Sequence, residues 1–472
     1  MKVLLILLAA ITLRAQTGVP ASENTSLGVL FIGTSGGNPK TNDQESLAIG
    51  YLTGNAMNNA ANPAADLFIG NEAGQHCTTC RESTLIGYHA GMSYVGNGTG
   101  MEDGINTMVG SQSGAYELGS NNTYVGQKSC MNMANASDSD NVCIGAHAGF
   151  GFTSGKQNIF VGRASNFNQN SSVSGTDNVM IGYGAGDFGN LATGYQQHEN
   201  VLIGSFAGAN LQSVTGDIAI GYQAGQKLTT GQTDLVMGFK SGTALTTQGN
   251  DLFIGYMAGQ TATSSDSVFI GPFAGQTASG NQLLAIGTQA GAHLLDASQS
   301  VMIGYQAGLN LQSGGGNTMI GRSAGQAMTI GYASTWIGDG AGFYSNGGDN
   351  TGIGAGSGQG IVSGVQNTFI GSNAGAESCD TCSMNVGIGY RANIGGNTTG
   401  AAQIGEGTNQ TPNTLQFQGA TVADANGYLY ANTSTPTSSV AACRKGAIWA
   451  DGKYIYVCIG TNIIRRAPLT QF

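Results

Sequence analysis

Charge is scarce in this 472-residue chain: 9% of residues are Asp, Glu, Lys or Arg, and they leave a formal net charge of -10. Most of the length offers a polyanion nothing to neutralise it, so nucleic acid is not expected as a partner. Aromatic residues make up only 7%, too few large side chains for the three conventional cores that the length alone would suggest. The apolar run from Val3 to Leu13 has 11 residues, too short to span a bilayer. Catalytic signatures are missing too. Asp and Glu are scattered through variable stretches rather than set as a pair for glycan cleavage. No Gly-x-Ser-x-Gly elbow sits in a strand-turn-helix setting, no Gly-rich phosphate loop precedes a helix, and the Gly-Gly-x-Gly-x-Asp calcium repeat is absent. Neither an enzyme nor a cofactor is expected, and no metal site.

What the chain has in excess is glycine, 79 residues, arranged in a repeat. Asn200-Val-Leu-Ile-Gly-Ser-Phe-Ala-Gly208 returns as Asp217-Ile-Ala-Ile-Gly-Tyr-Gln-Ala-Gly225 and Asp251-Leu-Phe-Ile-Gly-Tyr-Met-Ala-Gly259, and the pattern runs from Gly33 to Gly405. Gly204, Gly221, Gly238 and Gly255 are 17 residues apart. A fixed period of that length marks a solenoid, in which each unit packs only on its neighbours and none stands alone. The fold class expected is all-β: a β-solenoid (β-roll) shaft of coils of about 17 residues.

The three residues before each Gly read as a short strand. The first and third are Ile, Val, Leu, Met or Thr, a β-branched apolar face that must be covered. The middle residue points the other way, yet it is also large and apolar, as in Phe68, Leu85, Met108, Phe160, Leu202, Phe253, Phe269, Met302, Trp336 and Phe369. A thin coil has room for one apolar layer. One face is therefore placed inside the coil and the other against neighbouring chains, which predicts a homo-oligomer, a homotrimer around a long axis. Asn, Asp or Ser before the strand (Asn141, Asn158, Asn178, Asp234, Asn317, Asn367) suits the turn that enters it. The two glycines of Gly-x-x-Ala-Gly suit a bend or a close backbone approach.

Four segments follow. Residues 1-21 are a signal peptide or an uncleaved hydrophobic N-terminal plug; residues 22-409 are the shaft; residues 410-438 are a neck; residues 439-472 form a small C-terminal β tip. The tip contains Gly446-Ala-Ile-Trp-Ala450, an Asp451-Gly452 turn, Lys453-Tyr-Ile-Tyr-Val-Cys458 and Asn462-Ile-Ile-Arg-Arg466. Five bases there face Asp451 alone, a positive segment on an acidic chain. Longer gaps near Tyr94, Met101, Glu102 and Asp103, and near Phe188, Tyr195 and His198, read as surface loops that either carry tolerated variation or contact a partner.

The Ile-Gly-x-x-Ala-Gly array over roughly residues 29 to 409 resembles the repeats of trimeric adhesin heads of the YadA type. It is more similar to the N-T-x-I-G-x-x-A-G repeats of phage tail-fibre-like and bacterial adhesin-like proteins. Tyr454-Ile-Tyr-Val-Cys458 with Asn462 and Arg465-Arg466-Ala-Pro-Leu469 looks like the closing segment of phage tail-associated proteins. The resemblance implies a homotrimeric fibre of a virion that carries a receptor-binding surface for a host glycan or protein receptor, beside other virion or filament proteins. The alternative is a secreted bacterial adhesin or extracellular filament subunit. Receptor-binding candidates are Trp449, Lys453, Tyr454, Tyr456, Arg444 and Lys445, with a trimerisation clamp as the competing reading of the tip. Rings after the motif Gly (Tyr88, Tyr183, Tyr222, Phe239, Tyr256, Tyr305, Tyr390) would either stack on sugars or pack on one another or on the next chain.

Eight cysteines form local pairs: Cys77/Cys80, Cys130/Cys143, Cys379/Cys382 and Cys443/Cys458. The two Cys-x-x-Cys pairs are too many coils apart to share one ion, so disulfides are expected in a secreted or virion protein. Free thiols are the alternative, and His76 beside Cys77 leaves a local metal site open.

Overall fold

The structure, a computed structural model, describes residues 21–24, 29–32, 46–54, 65–77, 80–93, 105–135, 137–169, 173–187, 195–231, 233–377, 379–417, 420–423, 448–450, 453–460 and 463–468. The chain divides into two compact units, Met1–Leu283 and Leu284–Phe472. The described residues are β strands and turns, with no helix among them. Each unit is a parallel β-solenoid.

In the first unit a three-residue strand from every coil pairs in parallel with the next, without a register slip. Val201–Ile203 illustrates it: Val201, Leu202 and Ile203 lie opposite Ile218, Ala219 and Ile220, which lie opposite Leu235, Val236 and Met237. The column begins at Val29–Ile32, which pairs in parallel with Leu47–Ile49 and antiparallel with Ala21–Asn24. Over four coils the opposite wall is also a parallel sheet, made by Phe152–Lys156, Val173–Thr176, Tyr195–His198 and Val214–Thr215. The strands are short because positive φ interrupts the chain on both sides. Around one strand these angles are +59° at Glu199, +132° at Gly204, +58° at Phe206 and +56° at Gly208.

The second unit repeats the plan from Leu284–Ile286 to Ala402–Ile404. Leu415–Phe417, placed in the neck by the sequence, stacks in parallel on Ala402–Ile404, and Ala420–Ala423 folds back antiparallel on it. Ile448–Ala450, Tyr454–Gly460 and Ile463–Pro468 form a three-stranded antiparallel sheet.

The interior is lined by the middle residue of each strand. Phe68, Leu85, Met108, Phe160, Leu202, Phe253, Phe269, Met302, Trp336 and Phe369 are all fully buried. Ala207 and Leu211 close the same coil as Leu202, and both are fully buried. Sizes compensate from coil to coil. Trp336 lies in register with Gly352, where an added Cβ would stand 2.5 Å from the indole ring. The regular Ile, Val and Thr columns are the outer face, half-buried or exposed, with Ile144 40% and Ile370 39% accessible.

A polar column runs beside the strands. Asn106, Asn122, Asn141, Asn158, Asn178 and Asn200 are buried, and each Oδ1 accepts the backbone N–H of the residue that follows it in the column, at 2.7–3.2 Å. The amide Nδ2 atoms donate to carbonyls, as Asn158 does to Gly175 and Asn178 to Gln197. The column therefore bonds coil to coil, where the sequence suggested a local turn cap. It continues as Asp217, Asp234 and Asp251, whose Oδ1 atoms accept the same N–H bonds at 2.9 Å.

Candidate functional site

The three-stranded sheet holds part of the expected receptor-binding set. Trp449 is opposite Tyr456, and Tyr456 is opposite Arg466. Lys453 is exposed, and Tyr454 is half-buried with the Arg466 guanidinium 4.4 Å from its ring centre. Tyr456 is 7% accessible, packed in the sheet with Cys458 and Ile464 rather than presented for stacking. Arg444 and Lys445 lie outside the described residues, as do Tyr94, Met101, Glu102, Asp103 and Phe188. Ile448, Ile455 and Ile463 are 54%, 38% and 48% accessible, an exposed apolar surface beside the exposed Lys453, Arg465 and Arg466.

Part of the aromatic row after the motif Gly packs on itself, while Tyr305 and Tyr390 are 50% and 52% accessible. Tyr222, Phe239 and Tyr256 stack with centroids 5.3 and 5.4 Å apart and planes within 19°, and Phe273 meets Tyr256 edge-on at 5.2 Å. Rings stacked face to face present only their edges to solvent, so their faces are not open to a sugar. Tyr195 and His198, expected in a surface loop, instead belong to a strand of the second wall, where backbone pairing with the next coils orders them and His198 Nδ1 is 3.1 Å from Thr176 Oγ1.

Cysteines pair locally: Cys77 with Cys80, Cys130 with Cys143 and Cys379 with Cys382, at Cα separations of 5.8, 6.0 and 5.4 Å. Cys130 and Cys143 are both fully buried, and their bridge fills the interior between Tyr124 and Phe160. Cys458 is also disulfide-bonded, and Cys443 lies outside the described residues. With Cys77 oxidised, His76 has no neighbouring thiolate; among the described residues no three His, Cys, Asp or Glu side chains converge as metal ligands.

Buried acids are the feature that sequence spacing did not reveal. Glu117 is fully buried; one carboxyl oxygen accepts from the Gly119 N–H at 2.6 Å and the other is 2.6 Å from the Tyr124 hydroxyl. Burial lifts its pKa to about 8. Burial likewise lifts Asp138 and Asp217 to about 6, Asp234 to about 7 and Asp251 to about 8. In the last two, the neighbouring Asp of the column adds to the rise. Each protonated Asp can act as an Asn, accepting on Oδ1 and carrying a proton on Oδ2. These groups are buried in the coil interior.

A second feature is a cluster of bases and rings on one turn of the first unit, around His147. Its signal in the sequence was available: Gly126-Gln-Lys128, Gly145-Ala-His147 and Gly162-Arg163 place bases at the same turn in successive coils. Against known proteins, no protein-family model matches the chain, and no curated protein matches it.

Proposed function

We propose that the chain is a structural and binding protein rather than an enzyme. In this reading it is the shaft subunit of a homotrimeric fibre, of the phage tail-fibre kind, that attaches to a cell-surface glycan. One observation carries the reading. From Leu47 to Ile270 the outward strand positions hold only Leu, Ile, Val, Met and Thr, and from Leu284 to Phe417 only those with Ala and Phe. A charge-free apolar face that is half open in one chain is matched best by the same face of another chain.

The area fits. A three-residue strand about 10 Å long and a coil rise of about 4.8 Å give about 50 Å² per coil, so about a dozen coils in the first unit present about 600 Å². Adding the flanking rows reaches the roughly 800 Å² per partner of a stable interface. The tail-fibre reading is preferred over a secreted adhesin on the resemblance of the closing segment; the disulfides suit either setting.

Light scattering on the purified chain tests the proposal. A mass of three chains is expected, falling to one in denaturant; a native monomer would sink it. Ile220→Lys, on the outward column, should dissociate the oligomer and leave the coil folded. Leu202→Lys, inside the coil, should unfold it.

A further inference from the structure

The turn after the column glycine is an exposed corner, and in three successive coils of the first unit it carries a base: Lys128, His147 and Arg163. The coils rise about 4.8 Å each, so the three lie within about 10 Å. Rings surround them. His147 stacks on Phe150 at 5.4 Å and on Phe167 at 5.6 Å, and those two rings are 5.6 Å apart. Lys128 Nζ is 5.7 Å from the Phe150 centroid, and the Arg163 guanidinium is 5.6 Å from that of Tyr183.

The local potential is positive. Burial first, then the charges of Lys128 and Arg163, hold the His147 imidazole below its ordinary pKa. Asp187 stands one coil beyond, at the place equivalent to Phe167. Packing does not require bases here, because the corresponding turn position is Gln223, Met257 or Phe273 in coils further on. In a chain with only 16 Lys and Arg among 472 residues, this concentration is a local exception to an acidic surface.

We infer that this corner binds an acidic polysaccharide, the bases taking its carboxylate or sulfate groups and the exposed ring of Tyr183 packing against an apolar sugar face. Charge-assisted contacts to spaced anions suit Lys128 and Arg163, with the His147 imidazole between them as a hydrogen-bond donor, and an aromatic edge beside a base offers both halves of an acidic sugar a partner. The chain's net charge of -10 disfavours a densely charged polymer such as DNA. The choice of a sugar polymer rests on the reading of the chain as a glycan-attaching fibre, and it moves the contact from the C-terminal sheet to the side of the shaft.

The test is calorimetric binding of the full chain to dextran sulfate, polygalacturonate and neutral dextran, with single-stranded DNA as competitor. Lys128→Gln/Arg163→Gln is the variant; Gln already occupies the positive-φ position of Lys128 at Gln112 and Gln223, and the position of Arg163, directly after the column Gly, at Gln127, so the backbone is undisturbed. Lys227→Gln/Lys240→Gln, elsewhere in the same unit, changes the charge equally.

The wild type should bind an acidic polymer and not neutral dextran, more weakly as salt rises. The double variant should lose about tenfold per charge removed, and the control should stay within about twofold. Whichever acidic polymer binds tighter assigns sulfate or carboxylate. Equal binding by both variants overturns the patch and leaves glycan attachment standing. No binding to either acidic polymer overturns the patch as well, and DNA displacing the polymer at equal strength overturns the ligand class. The oligomer mass, measured on the same samples, judges the fibre reading separately.

Discussion

Replacing Gly204 with Ala should damage the solenoid far more than its size implies. Gly204 has φ +132°, a region closed to L side chains, and an added Cβ would stand 2.5 Å from the Gly221 carbonyl oxygen and 2.7 Å from its carbon. Both obstacles are backbone, so no rotamer can yield, and the two coils must part. Parting strains the bonds that join them: Gly221 N–H to Ile203 at 2.7 Å, Gln223 to Ser205 at 3.0 Å, Gly208 to Ala224 at 2.9 Å and Val201 to Asp217 at 2.9 Å. At about 0.5–1.5 kcal/mol each, weakening three or four costs about 2–6 kcal/mol. The backbone conformation adds about 1–3 kcal/mol. An ordinary Gly→Ala at a compatible position would instead stabilise by about 0.4–1 kcal/mol. Urea unfolding, with limited proteolysis to locate the opening near residues 204–221, measures the loss. Gln223→Ala is the control, since Ala164 already occupies that turn position at φ +55°. A Gly204→Ala protein within about 1 kcal/mol of wild type would refute the close-approach argument.

Stability should fall as pH rises. Glu117, Asp138, Asp217, Asp234 and Asp251 bind their protons more tightly folded than unfolded, so their contribution is complete below the ordinary carboxylate range and is lost through about pH 6 to about 8. A melting temperature that climbs from pH 5 to pH 9 would contradict this. Asp251→Asn, which copies the residue at Asn200 in the same column, should raise the melting temperature by a few degrees at pH 9 and change little at pH 5. Gly352→Ala should cost about 1–3 kcal/mol by forcing Trp336 from its rotamer, read by thermal melting and by Trp336 fluorescence; an unchanged melt would mean the indole has room. Lys240→Gly should stabilise by about 1 kcal/mol, because Lys240 sits at φ +54° and Gly removes that strain; a destabilised variant would show that its contact with Phe239 outweighs the backbone.

The repeat and its period were legible because stacking in register forces the same residue types to recur: a strand between positive-φ turns can be spelled only a few ways, and Gly204, Gly221 and Gly238 had to be Gly. The strand triplets, the parallel stacking and the local cysteine pairing follow from that repetition. Legibility ended where two readings had identical residues. Both faces of each strand are apolar, so Val201-Leu-Ile203 does not say which is inside. The stack decides it, because a thin interior needs sizes that compensate between coils, as Trp336 and Gly352 do, whereas the outer columns are free to repeat Ile. The corner at His147 shows only when the chain is aligned on its column glycines, and the burial of the acids shows only in the stack. Lys128 and Arg163 are 35 positions apart, and Asp217, Asp234 and Asp251 are 17 apart; only coiling brings them side by side. Sequence alone therefore determined the coil, and the tertiary stack decided which side of it is core, which carboxyls lose water, and where scattered bases become one surface.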